Sequence, residues 1–199
     1  MKDPKIIYIS KAAFPNKSAN SVHLMKMSQA ISKVFTNVTL IGFKAKNIKI
    51  NEKEILEGYD VTASFRLKLV PTPKRGISIY YLFYIFNWLM FKSRRKNLIY
   101  SREPFIIFLS LKLGFKSILE SHDFFESKSK RKIEKKLFSN SNFLKLVVIS
   151  QALKKDYLAY FQSIPQIEVH HDAADIIDEN YSVKTIWSGR KETLQIGYF

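Results

Sequence analysis

The 199-residue sequence has no cysteine, only six glycines and only 17 acidic residues. Without cysteine it can form no disulfide, no thiolate nucleophile and no Cys-ligated zinc or iron–sulfur site. Its glycines are widely separated, whereas a dinucleotide fingerprint or a P-loop needs closely spaced ones so that the backbone can approach phosphate. A GxSxG nucleophile elbow is also missing. These absences disfavour a Rossmann dehydrogenase, a P-loop NTPase and an α/β-hydrolase.

The charge is strongly one-sided. Lys and Arg number 33, which leaves a formal net charge of +16. Such an excess suits an anionic partner, namely nucleic acid, anionic lipid headgroups or a phosphorylated substrate, and the ordinary alternative is a solvated lysine-rich surface. A hydrophobic content of 46% is that of a globular protein with a full core.

Short apolar runs alternate with segments of helical spacing. The runs at 5–10, 37–43, 97–101, 116–120 and 144–149 are typical of parallel strands buried on both faces. We therefore expect an α/β fold with a Rossmann-like, doubly wound, mostly parallel sheet of six or seven strands. Residues 11–20 read as a polar loop, and a helix follows at 21–35 with Asn20 or Ser21 as its cap. We expect residues 1–180 to form this domain and 181–199 to be a linker and the first strand of a second domain.

The most apolar stretch is Ile77–Phe91, in which 13 of 15 residues are apolar. A membrane-spanning helix needs about 20 such residues, so this stretch is too short. The basic run Lys92–Lys96 follows it directly. Two interpretations stay open: a helix buried on the sheet, or a partly exposed helix resting on a membrane with its basic end on anionic headgroups.

Polar residues follow several of the predicted strands. Ligands of open parallel sheets bind beyond the carboxyl ends of the strands, so these residues are the candidates for a binding site. For some of them a structural role is the alternative: a helix cap for Asn20 or Ser21, an ion pair with Glu103 or Glu120 for Arg102, and a core histidine for His122. The candidate substrate-binding residues are Lys17, Asn20, Ser21, His23, Arg102, His122, Ser150 and Asp175.

The order of KIIYIS, FPNKSANSVHLMKMSQAIS, VTLIGF, IYSREP, ILESHDF and LVVISQALKKDY, followed by the Asp172–Asp175 segment, resembles the N-terminal domain of family 4 retaining glycosyltransferases of the GT-B fold. The closing LQIGYF resembles the first strand of that family's C-terminal domain. The resemblance implies an enzyme with two Rossmann-like halves. The first mainly binds a glycan or lipid-linked acceptor, the second holds a nucleotide-sugar, and no metal or other cofactor is expected.

The resemblance also implies roles for particular residues. The Lys17–His23 loop would lie near the donor phosphates and the acceptor, although it lacks the glycine pair of many members. His122 would lie beside the transferred sugar, Arg102 would be the arginine of the family's Y-x-R stretch, and Asp175 would belong to the hinge segment.

The family's E-x7-E glutamates and its diphosphate-binding Arg and Lys belong to the C-terminal half, so this half alone should be inactive. Glu126 and Glu134 have the E-x7-E spacing, but they lie in a basic helix of the wrong half, and we interpret the match as coincidence.

The implied function is sugar transfer in polysaccharide or glycolipid synthesis. We expect a cytoplasmic protein, with peripheral contact to the inner face of the membrane through Ile77–Lys96 and the basic helix Lys128–Lys136. The alternatives are a basic nucleic-acid-binding protein and a non-catalytic Rossmann-like binding domain. Nucleic acid is not the expected partner, because no known module signature is present and lysines are not interleaved with aromatics on one stripe.

Overall fold

Seven parallel strands form a single sheet in the computed structural model, which describes residues 4–46, 51–62, 65–72, 77–124 and 127–171. The predicted strand 193–199, Asp175, Glu126 and the domain boundary at 180 lie outside the described residues. The strands are β1 Lys5–Phe14, β2 Val38–Lys44, β3 Arg66–Val70, β4 Asn97–Ser101, β5 Lys116–Ser121, β6 Phe143–Val148 and β7 Ile167–Val169. The helices are α1 Ala19–Val34, α2 Glu52–Gly58, α3 Ile77–Met90, α4 Pro104–Lys112, α5 Lys128–Phe138 and α6 Gln151–Tyr160.

The strand order is β3-β2-β1-β4-β5-β6-β7, with every neighbouring pair parallel. The chain winds outward from β1 in one direction, crosses back through α3 and winds outward from β4 in the other. Right-handed crossovers then place α1 and α2 on one face and α3 to α6 on the other. The predicted Rossmann-like, doubly wound fold is confirmed. Its order reverses between β1 and β4, where such sheets open a crevice at the carboxyl ends of the strands.

Two hydrophobic cores match this division of the helices. Leu24 of α1 and Ile55 of α2 pack with Tyr8 and Leu40 on one face of the sheet. On the other face, residues of α3 to α6 pack with alternate strand residues such as Ile9 and Ile99. Because both faces are covered, the strands are apolar on both sides, which is why they appear in the sequence as continuous apolar runs.

The region after residue 10 differs from the prediction. The loop expected from Lys11 was wrong for Lys11–Phe14, because β1 continues there and Ala13 and Phe14 pair with Phe43 and Lys44 after a break in register. The expected caps were also wrong, since α1 begins at Ala19 and Ser18 accepts a hydrogen bond from the Ser21 backbone N–H. A serine one residue before the helix can reach the free N–H groups of its first turn.

Gly42 allows this extension of β1 to lie close to β2. A Cβ atom built at Gly42 would lie 2.5 Å from the Phe14 ring and 2.8 Å from the carbonyl oxygen of Ala12. Glycine is therefore required at this position for close packing.

α3 is buried against the sheet on one side, as the first interpretation expects, and is exposed on the other, while contact with a membrane stays a prediction. Tyr81, Ile85 and Leu89 are fully buried, and the Tyr81 hydroxyl donates to the backbone carbonyl of Ser10. The opposite side exposes large apolar residues, among them Ile79 and Phe83. Among the described residues, no helix has both the length and the apolarity needed to cross a bilayer.

Candidate functional site

Glu120 is the centre of a hydrogen-bonded network at the carboxyl edge of the sheet. It is the fifth residue of β5, and only 2% of it is exposed. Tyr8 of β1 donates its hydroxyl to Glu120 Oε2 at 2.8 Å. The Tyr8 and Tyr100 rings meet edge to face, with centroids 4.7 Å apart. Tyr8 from β1 thus orients the carboxylate, and Tyr100 from β4 packs against Tyr8.

Two histidines share the other carboxylate oxygen. His23 Nε2 lies 2.8 Å from Glu120 Oε1, and His122 Nε2 lies 2.5 Å from the same atom. An ionised carboxylate can only accept, so both Nε2 atoms carry the proton in this arrangement. The two rings meet almost at right angles, with centroids 4.9 Å apart. Glu120 therefore fixes the orientation of a histidine from α1 and a histidine from the loop after β5.

The electrostatics of the network favour an ionised Glu120. Burial raises its pKa, but hydrogen bonds from His122, His23 and Tyr8 outweigh burial and hold the pKa well below its usual range. Burial, together with the nearby Glu120 charge, raises the pKa of both Tyr8 and Tyr100 far above the ordinary value. Both tyrosines therefore stay protonated at neutral pH, and Tyr8 acts as a donor to Glu120.

The same cluster offers the ligand atoms of a metal site. The potential ligand atoms of His23, Glu120 and His122 all lie within 4.8 Å of one another, and a His₂Glu set is one that zinc uses. However, both Nε2 atoms meet one carboxylate oxygen at hydrogen-bond distance. Hydrogen bonding accounts for this geometry without an ion, and the expectation of no metal stays a prediction.

Arg102 and Asn20 form a second pair on the same edge. Arg102 follows β4, and its Nη1 donates to Asn20 Oδ1, in the first turn of α1, at 2.6 Å. Neither alternative ion pair of Arg102, with Glu103 or with Glu120, forms among the described residues, and the cation that pairs with Glu103 is Lys11, at 3.3 Å. Arg102 also lines a cavity of about 50 Å³ together with Glu120 and His122. The structure thus brings together four of the predicted site residues.

The other predicted residues have different surroundings. Lys17 is exposed in the loop before α1, and Ser21 is buried with its hydroxyl 2.9 Å from that of Ser18. Ser150 caps α6 by accepting from the Leu153 N–H at 3.1 Å, so the predicted cap is confirmed. Asp175 lies outside the described residues. The substrate-binding roles of all these residues stay predictions.

Sequence reasoning missed Glu120, Tyr8 and Tyr100 as members of the site. The available signal was a tyrosine in the middle of an apolar strand, because a buried hydroxyl needs a hydrogen-bond partner. That signal does not identify the partner, which for Tyr8 lies 112 residues away along the chain.

A larger cavity lies at the opposite, amino-terminal edge of the sheet. Its volume is about 760 Å³, and its walls carry Lys5, Arg66, Lys68, Lys92 and Lys96. It is separate from the Glu120 network, which sits where parallel sheets bind their ligands.

No protein-family model matches the chain, and no curated protein matches it. Among solved structures, the chain is similar to HepE from Anabaena, whose crystal structure contains UDP and glucose. The TM-score is 0.57 at 12% identity, over 86% of this chain and 45% of HepE. The chain therefore spans less than half of HepE. At this identity the similarity concerns the fold, and it supports a Rossmann-like half of the GT-B type.

Proposed function

We propose that this chain is the N-terminal, acceptor-side half of a retaining glycosyltransferase similar to family 4. The enzyme would transfer a sugar from a nucleotide-sugar to a glycan or lipid-linked acceptor. One observation carries the proposal: His23, His122 and Arg102, from three separate elements, lie at the carboxyl edge of a sheet whose fold matches part of a protein crystallised with UDP and glucose. UDP and glucose are the two parts of a nucleotide-sugar.

The geometry of the network gives each residue a role in the proposed reaction. Glu120 orients His23 and His122, whose rings are partly exposed at 20% and 14% of their side chains, toward the transferred sugar and the acceptor. Arg102, held by Asn20, supplies positive charge for the diphosphate that leaves. Such preorganised charge stabilises a transition state because it needs no rearrangement during the reaction.

The proposal assigns donor binding to a second Rossmann-like half, which would close over this edge and exclude water. Protein cations and helix N-termini, rather than a metal, would neutralise the leaving diphosphate. The biological setting would be polysaccharide or glycolipid synthesis at the cytoplasmic face of a membrane.

The test is an activity assay on the full-length protein. Purified protein is incubated with a panel of UDP-, GDP- and ADP-sugars and a lipid or glycan extract, and release of the nucleoside diphosphate and labelling of the acceptor are measured. We expect turnover of one donor class, retention of anomeric configuration, and a loss of about 100-fold in kcat/KM for His122→Ala and Arg102→Ala.

The matched control is His170→Ala, a histidine just after the edge strand β7 that pairs with Glu168. It should keep nearly full activity. The proposal fails if no nucleotide-sugar is bound or consumed, or if the His170 variant loses as much as the His122 variant. Binding of a donor without any transfer would favour the non-catalytic binding domain instead.

A further inference from the structure

The outer side of α3 is an exposed apolar ridge. It consists of Ile79, Phe83, Phe86, Met90 and Phe91, of which Phe83 is 67% exposed and Phe91 is 89% exposed. Ile79, Phe83, Phe86 and Met90 recur every three or four positions, so they lie along one side of the helix, and Phe91 follows directly after its last residue. No acidic residue lies in its first turn and no basic residue in its last. The exposed Asn87, whose side chain donates to the Phe83 carbonyl, lies beside this ridge, yet five large exposed apolar side chains so close together are unusual on a surface that faces only water.

The ridge ends at the cation-lined groove of the amino-terminal edge. Lys92 follows Phe91 directly, and its Nζ lies 4.4 Å from the centre of the Trp88 ring, with Lys68 Nζ 4.9 Å from the same ring. Lys5, Arg66 and Lys96 complete the cations of the groove. Glu52 also lines it, but its carboxylate accepts a hydrogen bond from the Leu67 backbone N–H.

The charges in this groove repel one another. Partial burial and then the neighbouring Lys68, Lys5 and Arg66 lower the pKa of Lys92. An anion placed among these side chains would relieve that repulsion. The fold thus sets a strip of exposed aromatic and aliphatic groups directly beside a groove that favours negative charge.

We infer that the α3 ridge and the cationic groove together form a docking surface for an anionic lipid bilayer. The ridge enters the boundary between headgroups and acyl chains, and the groove receives lipid phosphates. An anionic bilayer presents hydrocarbon and phosphate side by side, which matches both parts of this surface. A protein partner would have to supply a matching acidic patch next to an apolar furrow. The inference does not depend on sugar transfer.

The test is flotation of the purified protein with vesicles of pure phosphatidylcholine and with vesicles containing 30% phosphatidylglycerol. We expect binding to the anionic vesicles at least tenfold tighter than to the neutral ones, weakening as salt rises. Lys92→Glu should reduce that affinity at least fivefold, since each cation near such a surface contributes about that factor. Phe83→Ser and Phe91→Ser should each reduce it by a similar factor and leave its salt dependence unchanged.

The matched controls lie on α1, on the other face of the sheet. Lys33→Glu makes the same charge change, and Val34→Ser removes an apolar side chain that is 72% exposed. Neither should alter vesicle binding. Circular dichroism of all variants checks that they are folded, which is expected because the changed residues are on the surface.

Three outcomes would overturn the inference. The first is equal binding to neutral and anionic vesicles or to neither. The second is an effect of the α1 variants as large as that of the α3 variants. The third is a dimer in light scattering that Phe83→Ser dissociates, without vesicle binding, because a second copy of the chain would then cover the ridge. Loss of sugar transfer with vesicle binding intact would count against the proposed function alone.

Discussion

Glu120 and Glu134 are both only 2% exposed and both line the same small cavity, yet their surroundings differ. Glu120 receives hydrogen bonds from two histidines and Tyr8, and its pKa falls well below the usual range. For Glu134, burial raises the pKa, and a hydrogen bond from Tyr157 at 2.9 Å, with the charges of Arg131 and Lys130, offsets only part of that effect. Burial is common to both, so the number and kind of donors decide in which direction the pKa of a buried carboxylate moves.

The opposite pKa shifts of Glu120 and Glu134 agree with their positions in the fold. Glu120 lies at the open carboxyl edge of the sheet, where the proposed chemistry takes place. Glu134 is on the inner side of the basic helix α5, next to the buried Leu137 and Phe138. Because Glu126 lies outside the described residues, the interpretation of their E-x7-E spacing as a coincidence stays a prediction. Three substitutions test the comparison.

Glu120→Gln should have the largest effect, a loss of about 3 kcal/mol of unfolding free energy at pH 7. The reason is that buried hydrogen bonds to a charged group contribute the most and leave unpaired donors when it is neutralised. Because the folded pKa is depressed, this stabilisation is present above the unfolded pKa of about 4.3 and disappears as pH falls below it. Urea unfolding at pH 7 and at pH 3.5 should show the gap between wild type and variant narrowing at the lower pH.

The control is Glu168→Gln, which removes a half-exposed carboxylate whose pKa is also lowered, chiefly by Lys145. An exposed ion pair contributes little, so this variant should stay within about 1 kcal/mol of wild type. Equal losses of unfolding free energy for the two variants would show that the Glu120 network stabilises the fold no more than an exposed ion pair does.

Tyr157→Phe should have an intermediate effect. The Tyr157 hydroxyl donates to Glu134 and lies 2.9 Å from the Ser121 hydroxyl, so its removal leaves both without that partner. We expect a loss of about 1–2 kcal/mol in urea unfolding at pH 7. Tyr160→Phe, at an exposed position on the same helix, is the control and should be close to neutral. A neutral Tyr157 variant would mean that water satisfies Glu134 instead.

Glu134→Gln should have the smallest effect at pH 7 and the opposite sign to Glu120→Gln. A raised folded pKa means that the stabilisation is complete below the unfolded pKa and is lost as pH rises through the folded value. Because glutamine does not ionise, the Glu134→Gln variant does not lose this stabilisation as pH rises. Its unfolding free energy should equal that of wild type below the unfolded pKa of about 4.3 and exceed it by up to about 1 kcal/mol at pH 8. A destabilised variant at pH 8 would show that Glu134 is held as a favourable charge after all.

The sequence predicted the sheet better than the site. The strand at 97–101 has the predicted bounds because a buried parallel strand is apolar on both faces, a pattern visible in one short segment. His122 could be nominated because it closely follows a predicted strand, and His23 because it lies at the start of the helix that follows the first strand. Glu120, the partner of both histidines, could not be predicted, because contact between Tyr8, His23 and Glu120 depends on the strand order and on the residue at which α1 begins. The position of the α1 cap at Ser18 shows how a shift of two residues escapes pattern reasoning.

The lack of a side chain at Gly42 has a consequence for the rim of the sheet. Phe14, the last residue of β1, packs against the Gly42 backbone just before the loop that leads into α1. A methyl group there would push the end of β1 outward, and Asn20 and His23 would move with it. The pairing of β1 with β4 would stay, but Asn20 and His23 would no longer be in place to contact Arg102 and Glu120. The absence of a side chain at Gly42 thus allows α1 to place Asn20 and His23 beside partners on other strands.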